Sequence, residues 1–300
     1  MSAESAFIAS LRALATHPAA RGLEDDAAVL EVGGETLVLT HDMIAEGVHY
    51  LPGDPPGDVA WKLVAVNLSD LAAKGATPLG VLLGFTLGAA AWDRAFAAGF
   101  TRALSAFAIP LLGGDTIAAP GRVLGLTAIG RASGPVPSRA GARPGDLLWV
   151  SGTIGDAGAG LAALRAGDAD SPLVERYRNP RPRLEAGARL APLVSAMMDV
   201  SDGLLIDASR LAAASGCAVA IELDSIPLSQ GTALEAATAG DDYELLFTTR
   251  ADLASAILAL ADEIGLPLSR IGRCTAGAGL SLSENGKPVP LPARLGFEHG

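Results

Sequence analysis

Cysteine is scarce in this chain. Cys217 and Cys274 stand alone among 300 residues with no C-x-x-C spacing, which excludes a disulfide framework and a zinc site and fits a reducing, cytoplasmic setting. Aromatic rings and cations are also few. Three Trp, three Tyr and seven Phe, with 22 Lys and Arg against 33 Asp and Glu and a net charge of −11, supply neither stacking platforms nor basic patches, so no nucleic-acid partner is expected. The opening MSAESAFIASLRALATHPAA lacks a basic n-region and carries Arg12 inside its apolar stretch, which reads as an amphipathic surface helix rather than an export signal. Long apolar runs are nearly absent too. Gly75 to Trp92 is uncharged over 18 residues and spaces Gly80, Gly84 and Gly88 as packed membrane helices space small residues. Gly75 and Pro78 punctuate its start and glycine weakens helices, so LGVLLGFTLG is expected to be a central strand buried on both faces, with no membrane involved.

What is present is apolar bulk. Half of the residues are apolar, enough for a large core in two domains or one large α/β domain. Periodicity predicts helices near residues 4–15, 57–74, 91–107, 157–166, 181–192, 204–215 and 251–264. Strands are expected near 36–41, 79–87, 123–130, 146–151, 194–200, 218–223 and 243–248. The Pro- and Gly-rich ASGPVPSRAGARPGD, Ala132 to Asp146, reads as a linker and sets a boundary between residues 1–138 and 139–300. LAAKGA and LAAASG each end a helix on a glycine turn, an echo too short to make a repeat.

Asp recurs where apolar runs stop. GLEDDAAVL puts Asp25 and Asp26 at the mouth of a strand, LVLTHDM ends a strand on Asp42, LLGGDT sets Asp115 behind a glycine pair, and MMDVSDGL brings Asp199, Ser201 and Asp202 to a strand–helix junction. On the helix from Val59 to Lys74, Leu63, Asn67 and Asp70 share one face. Each Asp alone reads equally as a turn residue or helix cap. Together they repel unless divalent cations lie between them, and hard oxygen donors without His or Cys indicate magnesium, which takes further ligands from phosphates. No P-loop occurs, so a standard NTPase is excluded. SGTIGDAGAG opens a helix where an anion would fit, although close packing explains its glycines equally well. Arg139, in the linker, reads on spacing alone as a surface arginine.

In order, GLEDDAAVL, THDMIAEGVHY, VNLSDLAAKGATP, GGDT, SRAGARPGD, SGTIGDAGAGL, MDVSDGL, GDDYELLF and GFEH resemble the motifs of the thiamine-monophosphate kinase family over nearly the whole chain. That family shares an ATP-binding superfamily with aminoimidazole ribonucleotide synthetase, selenophosphate synthetase and a hydrogenase maturation factor. The resemblance implies an α/β (α+β) two-domain fold like that of aminoimidazole ribonucleotide synthetase, with N-terminal strands joining a second subunit in a dimeric barrel and a C-terminal α/β domain. It implies transfer of the ATP γ-phosphoryl group to thiamine monophosphate, with several magnesium ions, in a homodimer.

Position by position, the resemblance assigns magnesium to Asp26, Thr40, Asp42, Asp70, Asp115, Asp199 and Asp202. It assigns the nucleotide to Gly114, Asp115, Arg139 and Ser201, and thiamine monophosphate to His49, Asp241 and Phe297, which otherwise read as a core histidine, a turn residue and a packed terminal ring. None of these supplies an obvious general base, so a phosphate rather than a hydroxyl acceptor is expected. The chain departs from the family pattern at Glu24, where Gly is usual, and His41, where Thr is usual; Asp241 is often Glu. Another ATP-dependent enzyme of the superfamily and a non-catalytic ATP-binding protein are the alternatives. The reactive cysteines of the selenophosphate and hydrogenase branches are missing: the first 200 residues have none and the chain ends GFEHG.

Overall fold

The structure is a computed structural model and describes residues 3–298. Helix α1 (Ala3–Leu11) and short 3-10 turns precede strands β1 (Ala28–Val32) and β2 (Glu35–Ala45), helix α2 (Pro56–Ala73), strand β3 (Thr77–Leu87), helix α3 (Ala90–Ala106) and strands β4 (Leu111–Ala118) and β5 (Val123–Ala132). The five strands form one sheet in the order β1-β2-β5-β3-β4, antiparallel except where α3 carries the chain across from β3 to a parallel β4. The sheet is open, with β1 and β4 at its edges.

The second half adds β6 (Leu147–Ser151), α4 (Asp156–Arg165), α5 (Leu173–Arg178), α6 (Leu184–Leu190), β7 (Ala196–Val200), α7 (Leu204–Ser215), β8 (Ala218–Glu222), α8 (Ala233–Thr238), β9 (Glu244–Thr249), α9 (Ala254–Ile264), β10 (Leu268–Thr275), β11 (Gly279–Glu284) and β12 (Lys287–Val289). Its sheet runs β12-β11-β8-β10-β6-β9-β7, with only β8 and β11 parallel. Residues 133–146, between β5 and β6, form neither helix nor strand.

Helix α2 joins the halves. Pro56 suits its first turn because the missing N–H would have no helical partner there. Its residues from Val59 to Ala73 are buried apart from Trp61 because the helix packs on β2 and β5 and against α6 and β7 of the second half. Both glycine turns foreseen in the sequence take left-handed conformations, φ 63° at Gly75 and 64° at Gly216.

Strand β1 is the one expected behind Asp25 and Asp26, while strands β4, β10, β11 and β12 and helices α5 and α8 come in addition to the expected elements. Most are short, and pairing with neighbours rather than local pattern makes these strands. Two expectations need correction. Asp42 lies inside β2, not at its end, because pairing with β5 continues to Ala45. Strand β3 is neither central, lying one in from the edge with β5 in the middle, nor buried on both faces: Leu79, Leu82 and Leu87 stay exposed, and every residue of β4 is exposed beside it. Among the described residues no helix is long and apolar enough to cross a membrane.

Candidate active site

Side chains alternate across β2, so Thr40, Asp42 and Ile44 face the helical side of the sheet while His41 and Met43 face out. Helix α2 meets this row at the positions its periodicity predicts. Asn67 Oδ1 accepts from the Asp42 backbone N–H at 2.9 Å, and the Thr40 hydroxyl donates to the buried Asp70 carboxylate. One residue earlier on α2, the Ser69 hydroxyl donates to Asp199 on β7 at 2.5 Å, tying the second sheet to the first. The result is a cluster in which oxygens of Asp26, Asp70 and Asp199 lie within 4.8 Å of one another.

The cluster lies in a cleft of about 1090 Å³ that also collects Asp42, His49, Arg139, Ser201, Asp202, Asp241 and Phe297. Burial, then the neighbouring carboxylates, pushes Asp70 and Asp199 well above the usual carboxylate range, against the hydroxyls that donate to them. Burial raises Asp42 to about 6; His41 opposes the shift, and Asp26 and Asp202 add to it. Among the described residues no lysine or arginine pairs with Asp42, Asp70 or Asp199. Buried like charges with only oxygen donors for company suit a small hard divalent cation, so this donor set fits magnesium.

Asp25 and Asp26 differ. Lys74 Nζ lies 2.5 Å from Asp25 and 2.6 Å from Asp26, with the Met197 carbonyl at 3.2 Å, while Arg21 takes the other Asp25 oxygen and Arg139 meets Asp26 Oδ1 at 2.5 Å. Burial works to raise Asp25, but Lys74 and Arg21 hold it at about 2. Arg139 is thus no surface arginine; Asp26 draws it into the cleft.

At the strand–helix junction the capping reading of Ser201 and Asp202 fails. Asp207, one turn inside α7, accepts from the Asp202 and Gly203 backbone N–H groups, and Asp202 instead pairs with Arg210 at 2.5 Å. Gly152, Gly155, Gly158 and Gly160 each have a neighbouring atom within 2.5 Å of where a Cβ would sit, so close packing accounts for all four.

His49 accepts from the Ala45 backbone N–H at Nδ1, 3.0 Å away, so that nitrogen carries no proton. Buried Lys62 reaches both the His49 carbonyl and the Asp241 carboxylate at 2.9 Å, under the Tyr177 ring. Asp241 holds φ 69°, a conformation uncommon outside glycine, fixed by its N–H bond to Ser201 O at 2.7 Å. Phe297, half exposed, is pinned through its N–H to Asp202 O at 2.9 Å.

Gly114 and Asp115 are not brought into the cleft. Asp115 pairs across the sheet with Gly84, Gly125 and then Met43, one residue out of phase with Asp42, so it belongs to the open face. Of the two departures from the family pattern, Glu24 lines the cleft and His41 does not. His41 bonds Thr127 at 2.9 Å on that open face, and Glu24 pairs with Arg12 at 2.9 Å.

Sequence reasoning missed Lys62, Lys74 and Arg210. A signal for two of them was available: the chain has three lysines, and two of them fall in or directly after its most buried helix.

Family models for AIR synthase related protein match this chain over residues 24–132 for the N-terminal domain and 143–284 for the C-terminal domain. With the two sheets and the cleft described above, they define the chain as a two-domain AIR synthase related protein. It is 41% identical to the thiamine-monophosphate kinase of Caulobacter vibrioides over 94% of this chain and 86% of that one. The crystal structure of thiamine-monophosphate kinase from Stenotrophomonas maltophilia matches at 38% identity and TM-score 0.78, covering 94% and 95% of the two chains. A structure of AaThiL complexed with AMPPCP and TMP matches at 29% identity and TM-score 0.85, covering 97% and 96%. The chain belongs to the thiamine-monophosphate kinase family.

Proposed function

We propose that this chain transfers the γ-phosphoryl group of ATP to thiamine monophosphate, giving thiamine diphosphate. The observation that carries the reading is the cleft itself, where acids lacking cations share one space with His49, Asp241 and Phe297. Asp26, Thr40, Asp42, Asp70, Asp115, Asp199 and Asp202 would hold several magnesium ions, which when bound supply the positive charge that phosphates need. Gly114, Asp115, Arg139 and Ser201 would bind the nucleotide. His49 would contact the thiamine monophosphate, beside Asp241 and Phe297. A phosphate monoester needs no base to become a nucleophile, because its second proton leaves near pH 6. That agrees with a His49 whose Nδ1 is already engaged.

The functional division would fall at 138, with 1–138 the metal-binding and dimerising domain and 139–300 its α/β partner, working in the cytoplasm. A homodimer would cover the open face of the first sheet, where Leu112 and Ile117 are 53% and 55% exposed, and could close the sheet into a barrel with its copy. Gly114 and Asp115 lie on that edge strand, so their roles are tied to the dimer.

ATP consumption measured with thiamine monophosphate, with thiamine and with neither tests the reading. Turnover is expected only with the monophosphate and only with magnesium. Equal turnover of free thiamine would overturn the acceptor, and ATP binding without turnover would favour a non-catalytic protein.

A further inference from the structure

Lys74 has no exposed side-chain surface, yet its ammonium ends between two carboxylates. A buried lysine is tolerated only with compensation, and a helix C-terminus in a glycine turn does not require one. Ion-paired contacts of Asp25 and Asp26 account for Arg21, Lys74 and Arg139, whereas Asp70 and Asp199 receive only hydroxyl protons. The cluster therefore has one half neutralised by the chain and one half left to an outside cation.

We propose that Lys74 is a tethered cation of this site, its ammonium standing where a divalent ion would otherwise be needed to hold Asp25 and Asp26 together. The chain thereby sets Asp26 in place before any metal arrives, so that divalent ions meet it beside Asp70 and Asp199. Lys74 is a positioning residue, since it acts on the metal through Asp26. The inference rests on the divalent-cation reading of the cluster and concerns how many ions the chain itself replaces.

The test uses full-length protein without nucleotide, the wild type beside Lys74→Met, which keeps an unbranched side chain and removes the charge. Thermal melting is followed in chelator and in excess magnesium, and bound manganese per chain is counted by equilibrium dialysis. In chelator the variant is expected to melt on the order of 5 °C or more below the wild type, because a buried acid pair loses its partner. Magnesium should restore most of that loss while moving the wild type less, and the variant should bind one more manganese ion per chain than the wild type. A loss that no divalent ion restores, including failure to fold in excess manganese, would make Lys74 merely structural and overturn the proposal. Equal manganese counts with equal magnesium responses would overturn it as well. A wild type that binds no manganese would defeat the divalent reading, and in that case only a variant that gains an ion would uphold the role of Lys74. As a check that needs no variant, wild-type amide exchange at Asp25 and Asp26 should run at the same rate in chelator and magnesium. Faster exchange in chelator than in magnesium would show that Lys74 does not assemble this side.

Discussion

Asp25 and Asp26 on one side of the cleft and Asp70 and Asp199 on the other have the same chemistry and nearly the same burial, but opposite environments. The first pair is gripped by Arg21, Lys74 and Arg139; the second receives hydroxyl protons from Thr40 and Ser69. Burial disfavours the charged form of Asp25, Asp70 and Asp199, and of these three only Asp25 has local cations that keep it ionised. The difference teaches that an acidic cluster has a structural side and a ligand-seeking side, distinguishable by their partners.

The largest test of this contrast is Asp70→Asn or Asp199→Asn. Turnover should fall at least about 100-fold, as expected when a group holding a phosphate-neutralising ion is lost. Metal-free stability should stay level or rise, because each change removes a charge that burial opposes. Steady-state rates and melting in chelator check both halves of this expectation, and a clear drop in metal-free melting temperature would break the contrast.

Next comes Asp26→Asn, which leaves the buried ammonium of Lys74 and the guanidinium of Arg139 facing a neutral amide. Unfolding in urea should show a loss of about 3 kcal/mol, the cost of removing one partner of a buried ion pair. A loss no larger than that of Asp199→Asn would mean the two sides are alike.

The pH dependence separates Asp25 by sign from Asp42, which like Asp70 and Asp199 has no lysine or arginine partner among the described residues. Asp42 has its pKa raised to about 6, so its protonated form stabilises the metal-free fold fully below the ordinary 3.8, and this contribution is lost as pH rises through 6. Asp25 is lowered from 3.8 to about 2, so its contribution is present above 3.8 and lost as pH falls through 2. In chelator the melting temperature should therefore climb as pH drops through 6 and fall again below 3.8. Magnesium, bound at Asp42 as proposed, would compete with its protons and should flatten the first limb and leave the second.

The smallest effect belongs to a residue outside either pair. His49→Asn should raise the KM for thiamine monophosphate about tenfold, the value of one good hydrogen bond, and change kcat only a few-fold. A collapse of kcat at normal KM would instead make the imidazole part of the chemistry.

Much of this molecule was legible in the sequence. The face shared by Leu63, Asn67 and Asp70, the glycine turns at Gly75 and Gly216, and the succession of Asp residues at the ends of apolar runs follow from periodicity and backbone sterics, which act within a few residues. The order of the motifs was enough for the family, and most of the residues it singled out line the cleft. Tertiary structure alone decided the rest, because it depends on contacts between segments far apart in the chain. Lys74 meets Asp25, 49 residues away, and Arg139 meets Asp26 at a separation of 113, so no local pattern distinguishes a surface cation from a buried partner. Strand register, set by pairing across the whole sheet, put Asp42 and Asp115 on opposite faces although both read as site acids. Residue types determined which groups could bind a cation; three-dimensional proximity, through charge and desolvation, decided which of them still need one.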